Sequence, residues 1–230
     1  MARDLTRIGE RARQEGQAQF TSIYHFVTDL DHLRACYADL PADRAAGVDG
    51  VGKEEYGKNL EGNLADLSAR LGRMGYRPQP VRRAYIRKPG TNKQRPLGIL
   101  CFEDKLAQLG LVRVLEQIYE ADFTNSSYGY RPGRTQHQAL DELGRTIQQR
   151  RVSYVVEVDV KGFFDHVNQE WLLKFLRHRI SDERVLRLIV RMLKSGVMED
   201  GLVRASDEGV PQGGNLTPRT QKITSCLSGL

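Results

Sequence analysis

The sequence predicts an α+β domain, helical for most of its length and interrupted by short strands. Three observations carry that prediction. Apolar residues recur at helical spacing in several segments, two strand-like runs flank a turn at 89–92, and one β-branched run at 152–160 stands between helical stretches. With 230 residues, the chain is long enough for one large domain or two small ones with a real core.

Taken in order, Asp29 suits the N-cap of a short helix carrying Leu33, Tyr37 and Leu40, which Pro41 stops. The turn Gly47-Val48-Asp49-Gly50 leads to Tyr56, Leu60, Leu64, Leu67 and Leu71, whose spacing predicts one longer helix. VRRAYIRK (81–88) and RPLGIL (95–100) read as strands joined by Pro89-Gly90-Thr91-Asn92. Leu106, Leu109, Val112 and Ile118 predict a helix over 103–119. SSYGYRPGRT (126–135) is a Gly/Pro-rich loop, and Thr135 with Gln138 forms a capping box opening a helix to about Gln149. The run 152–160 predicts a central strand with apolar side chains on both faces. Helices near 168–179 and 182–194, a hairpin about Glu199-Asp200-Gly201 and the loop EGVPQGGNLTP (208–218) follow.

Lys plus Arg number 35 against 29 Asp plus Glu, giving a net charge of +6 and a pI of about 9.3, which suits a nucleic-acid partner. The basic residues cluster. Arg77, Arg82, Arg83, Arg87, Lys88, Lys93 and Arg95 occur in one stretch without an acid, with Tyr76 and Tyr85 beside them. A solvated hairpin with basic edges is one reading. Phosphate contact through Arg82, Arg83, Arg87 and Lys88 is the better one for so one-sided a cluster. Three widely spaced cysteines fit neither a disulfide framework nor a zinc site, which favours a reducing compartment and a cytoplasmic location. No apolar run approaches membrane-spanning length, so no membrane partner is expected, and the first residues lack a secretory pattern.

Asp159 closes the apolar run 152–160 and is followed by KGFFD. A carboxylate at the end of a buried strand needs a partner or a metal. It is either a salt-bridged or capping residue, or a ligand for a hard cation such as Mg²⁺. Asp165 is read as a helix cap, Phe163 as core, and Glu157 as a same-face neighbour of Asp159. Phosphohydrolases of the haloacid dehalogenase type are excluded, because the second acid they need falls at Lys161.

The order of segments is a basic hairpin, RPLGI, YGYRPGRT, DVKGFFD and GVPQGGNLTP. This series resembles the successive motifs of bacterial group II intron reverse transcriptases and maturases, from about Gly47 to Pro218. The resemblance implies a right-hand polymerase, with fingers and an incomplete palm, acting as an RNA-directed DNA polymerase. It implies domains at 1–46 (helical extension), 47–150 (fingers-like), 151–218 (partial palm) and 219–230 (a tail outside the family). The implied partners are an RNA template or intron RNA, a DNA primer and deoxynucleoside triphosphates, with Mg²⁺ as cofactor. Asp159 would be the catalytic aspartate and a metal ligand together with the Val160 carbonyl. Phe164 would lie beneath the sugar, Gln212 would line the nucleotide pocket, and Lys93 and Arg95 would meet the triphosphate. Arg131 and Arg134 would contact template backbone. Two-metal nucleotidyl transfer suits this set.

The chain departs from the family pattern in one respect. The family takes its further carboxylates from a Tyr-x-Asp-Asp motif, and no Asp-Asp pair occurs in these 230 residues. YADL (37–40) comes before Asp159 and ends in Leu, so Asp39 is read as structural. The polar tail RTQKITSCLSGL matches nothing in the family and suggests a truncated or frame-shifted copy. The expectation is a polymerase fragment, inactive alone. The alternatives are an RNA-binding maturase-like remnant, or half of a split enzyme completed by a second polypeptide carrying the missing palm.

Overall fold

The structure, a computed structural model, describes residues 2–87, 90, 92, 94–160 and 167–204. Nine helices and four strands occur among them. In chain order they are α1 (Ala2–Gln14), α2 (Tyr24–Thr28), α3 (Leu30–Asp39), α4 (Lys53–Gly57), α5 (Leu60–Gly72), β1 (Val81–Arg87), β2 (Gln94–Ile99), α6 (Phe102–Tyr119), α7 (Gln136–Gln149), α8 (Gln169–Arg177), α9 (Glu183–Leu193), β3 (Val197–Glu199) and β4 (Leu202–Arg204). The α+β class holds.

Helix α6 is the hub. Leu106, Ala107, Leu111, Val114, Leu115 and Ile118 are fully buried, and α1, α2, α3 and α4 pack around it. A helix apolar over most of its girth has to be enclosed in this way. One core runs from Ile8 to Leu193, across positions 46/47 and 150/151.

Several local signals are realised in detail. Asp29 caps α3 by accepting from His32 N at 2.9 Å, and Leu40 turns extended (ψ 130°) just before Pro41. Thr135 and Gln138 make the reciprocal capping box of α7. Asp200 (φ 51°) and Gly201 (φ 78°) form the tight turn between β3 and β4, matching the positive φ pair of a type I′ hairpin. The single helix expected over 56–71 is instead α4 and α5. The break comes at Asn59, two residues after Gly57, where the Tyr37 hydroxyl occupies the space a side chain would take. Glycine weakens the helix, and Asn59 leaves helical geometry (φ −128°, ψ 50°) before α5 begins.

The four strands form one sheet in the order β2-β1-β3-β4. β1 and β2 pair antiparallel from Arg82↔Ile99 to Arg87↔Gln94, β3 and β4 pair antiparallel, and β1 and β3 pair parallel at Val81↔Val197 and Arg82↔Met198. Arg191 of α9 donates to the carbonyls of Met74 and Tyr76, tying the approach to β1 onto the helical layer.

A second clasp joins the N-terminal segment to the α8–α9 turn. Buried Asp182 caps α9 through Arg184 N and also accepts from Ile23 N and Tyr24 N, each at 2.9 Å. Buried Arg179 donates to the carbonyls of Ala12 and Gly16 and pairs with Asp122 at 3.0 Å. Phe20 bridges Ile180 in parallel.

One expectation fails. The stretch 152–160 is no strand, and its side chains are exposed, with Tyr154 at 89%, Val156 at 82% and Val158 at 83%. β-branched residues favour extended backbone, but a strand exists only with a ladder partner, and no described strand lies beside it.

Candidate nucleic-acid and metal site

Alternation along the β1–β2 hairpin sorts its side chains onto two faces. Arg83, Tyr85 and Arg87 share one face with Gln94 of β2, while Arg82, Ala84, Ile86 and Arg95 share the other. Arg87 and Arg95 are exposed and Arg83 is half-buried. Arg82 differs: its Nε and Nη2 donate to the Ala46 carbonyl at 3.2 and 2.8 Å, so it holds the 41–50 loop against the sheet. Tyr76 is not a surface aromatic. It is buried, and its hydroxyl donates to buried Asp104, which also accepts from Gln79 N at 3.0 Å.

Glu199 of β3 sits at the edge of the first face and accepts from the Tyr85 hydroxyl. That carboxylate raises the exposed Tyr85 phenol above its ordinary pKa. The sequence named Glu199 only as a turn neighbour. Its place beside Tyr85 comes from the β1–β3 pairing, which joins residues more than 110 positions apart.

The two loop arginines part company. The Arg131 side chain is 6% exposed, bonded to Glu120 through Nε and Nη2 and to the carbonyls of Thr124 and Ser127 through Nη1, over the Phe123 ring. It organises its own loop. Arg134 donates one bond to the Asn125 carbonyl and lies over the Tyr128 ring, remaining half-exposed.

Asp159 and Val160 are exposed on the irregular stretch, and among the described residues Asp159 has no hydrogen-bond or ion-pair partner. The premise that this carboxylate is buried does not hold. A carboxylate beside a backbone carbonyl is the right donor chemistry for Mg²⁺. The number falls short, because no group of three or more metal-binding side chains forms among the described residues. These residues alone therefore do not fit a two-ion site. Asp39 pairs with Arg113, in keeping with a structural role. Lys88, Lys93, Phe164 and Gln212 lie outside the described residues, as do Phe163, Asp165, the whole 208–218 loop and the tail 219–230.

Residues 86–224 match the family described as reverse transcriptase (RNA-dependent DNA polymerase). The chain belongs to the reverse transcriptase family. This reverse transcriptase chain is 34% identical to group II intron-encoded protein LtrA of Lactococcus lactis subsp. cremoris, over 95% of its own length and 36% of LtrA. It is 40% identical to protein YkfC of Escherichia coli K12, over 77% of its own length and 47% of YkfC. It thus spans less than half of either relative. Among solved structures, a chain of a Cas6-RT-Cas1–Cas2 complex superposes with a TM-score of 0.56 at 20% identity, covering 86% of this chain and 20% of that one. That likeness extends to the fold. No helix among the described residues is long and apolar enough to cross a membrane.

Proposed function

We propose that the chain is the fingers and partial palm of a group II intron-encoded reverse transcriptase, which binds RNA but does not polymerise by itself. The observation that carries this reading is the hairpin face on which Arg83 and Arg87 have no carboxylate partner among the described residues, in a chain of this family with 34% identity to an intron-encoded protein. Guanidinium groups spaced along a strand pair meet successive phosphates of a nucleic-acid backbone, each contact displacing condensed counterions. Arg134 of the 126–135 loop, half-exposed, offers a further guanidinium.

Within the same reading, Asp159 and the Val160 carbonyl contribute ligands for Mg²⁺, which when bound would supply charge stabilisation for nucleotidyl transfer. Lys93, Arg95, Phe164 and Gln212 would serve the incoming deoxynucleoside triphosphate, and the RNA template and DNA primer would lie along the hairpin. The further carboxylates this chemistry needs are not an Asp-Asp pair of this sequence, since it has none. A second polypeptide is one source for them.

Binding of a structured RNA, followed by fluorescence anisotropy across a salt series, tests the first half. Replacing Arg83 and Arg87 with Gln should lower the salt slope by about 1.5, with helical circular dichroism unchanged. An unaltered slope would remove the hairpin from the interface. Primer extension with Mg²⁺ tests the second half: template-dependent extension by the purified chain, abolished by Asp159→Ala, would overturn the claim of inactivity.

A further inference from the structure

Helix α9 divides its residues sharply. Val185, Leu186, Leu188, Ile189, Met192 and Leu193 are buried, and the side turned from the core is basic. Arg184, Arg187 and Arg191 recur at intervals of three and four, and Lys194 follows at the C-cap. That spacing places all four on one narrow stripe about 15 Å long. Two of them touch the fold. Arg184 lies over the Tyr24 ring and stands 4.0 Å from Asp182, whose oxygens already accept from three backbone N–H groups. Arg191 donates to the Met74 and Tyr76 carbonyls, so the stripe adjoins the segment leading into β1. Arg187 and Lys194 are exposed and make no hydrogen bond or ion pair among the described residues. The same holds for Arg73 and Arg77, which flank the two carbonyls that Arg191 holds.

Arginines on the other helices are treated differently. Arg34, Arg70, Arg113, Arg145 and Arg177 each pair with a carboxylate. Glu183, the one acid within α9, is bonded to Arg177. Like charges three and four residues apart on a helix repel, so four cations in a row destabilise α9 until an anion faces them.

We infer that the α9 stripe, with Arg73 and Arg77, is a second RNA-contact surface that takes the phosphate backbone of a folded RNA. Such a surface deepens the reading of the chain as an RNA binder, on which it rests, and it stands on a different element from the β1–β2 hairpin. A row of guanidinium and ammonium groups matches a regular line of phosphates. The stripe holds no aromatic ring to stack a base and no amide to read a base edge, so its contacts are to backbone and indifferent to sequence. It holds no apolar side chain to enter a membrane either. Charge decides the occupant here, not exposure: protein laid over the stripe would bury four cations and would need as many acids, whereas RNA brings one anion with every nucleotide.

Fluorescence anisotropy of a labelled RNA hairpin across a salt series tests this, with helical circular dichroism as the check on folding. Arg187→Gln/Lys194→Gln should lower the salt slope by about 1.5, and Arg187→Glu/Lys194→Glu should weaken binding roughly tenfold or more at low salt. Arg187→Lys/Lys194→Arg keeps both charges and should leave the slope unchanged. Two RNA hairpins of unrelated sequence should lose affinity equally. Arg83→Gln/Arg87→Gln, on the sheet, should lower the slope separately, and the two effects should add. A slope lowered by the sheet variant but not by the Gln pair on α9 would overturn the second surface and leave the hairpin reading standing. A parent chain that binds no RNA would overturn both. Loss of slope in the charge-keeping variant or unequal loss between the two sequences would also overturn the second surface. So would binding to phosphatidylserine vesicles that depends on the stripe while RNA binding does not.

Discussion

Replacing Asp104 with asparagine should remove a measurable part of the dependence of stability on pH. Asp104 is 2% exposed, and burial raises its carboxyl pKa from 3.8 to about 6, against the lowering effect of the Tyr76 hydroxyl and Gln79 N–H. Between those two values the folded protein holds a proton that the unfolded chain has released. Stability therefore falls as pH rises through the window from about 4 to about 6, then levels off. A shift of about two units corresponds to about 3 kcal/mol in total, of which about 2 kcal/mol lies between about pH 4.5 and about pH 7. Urea unfolding followed by helical circular dichroism at those two pH values gives the change for each protein. Other carboxylates titrate too: Glu61 and Glu183, held below their ordinary range by Arg34 and Arg177, add slopes of opposite sign. Asp104→Asn retains those and loses only its own, so the difference between the two profiles isolates Asp104. Parallel profiles would refute the reasoning, and so would a variant more sensitive to pH than the parent.

Asp182→Ala should cost about 3 kcal/mol in thermal or urea unfolding, because it uncaps α9 and strips the acceptor from Ile23 N and Tyr24 N at once. Arg131→Ala should cost about 2–4 kcal/mol by leaving Glu120 unpaired, while RNA affinity of the folded fraction keeps its salt slope; a slope lowered by one would place Arg131 at phosphate instead. Gly47→Ala should lower the urea midpoint by the equivalent of about 2 kcal/mol or more, since the new methyl would meet the Cys101 backbone at 2.5 Å and neither partner can swing aside.

Sequence was most informative where structure is local. Asp29, Thr135 with Gln138, and Asp200-Gly201 each act on backbone within three residues, so their chemistry could be read without knowing the fold. It was least informative where a distant partner decides. The β-branched run 152–160 announces a preference for extended backbone, yet only another strand makes it a strand. The expected single helix breaks at Asn59, just past a glycine packed against Tyr37 from another helix. In the candidate site, the two strands, their turn and the acid-free run of basic residues were legible as a basic hairpin. The retreat of Arg82 to Ala46 O and of Arg131 to Glu120 was not, since an arginine shows its charge in the sequence and its destination only in space.

The clasp at Asp182 and Arg179, with the pairing of β1 to β3, has a consequence for biosynthesis. Helix α1 and the segment leading to α2 emerge from the ribosome first, yet the groups that satisfy Ile23 N, Tyr24 N and the carbonyls of Ala12 and Gly16 are made some 160 residues later. The β1–β2 hairpin can close early, but its second edge waits for Val197. Such long closures are slow relative to local helix and hairpin formation. The nascent chain therefore carries an unfinished N-terminal layer through most of its synthesis, and the whole described core locks together when α9 and β3 arrive. Shortening the chain ahead of Asp182 would cost the first helices their footing as surely as deleting them.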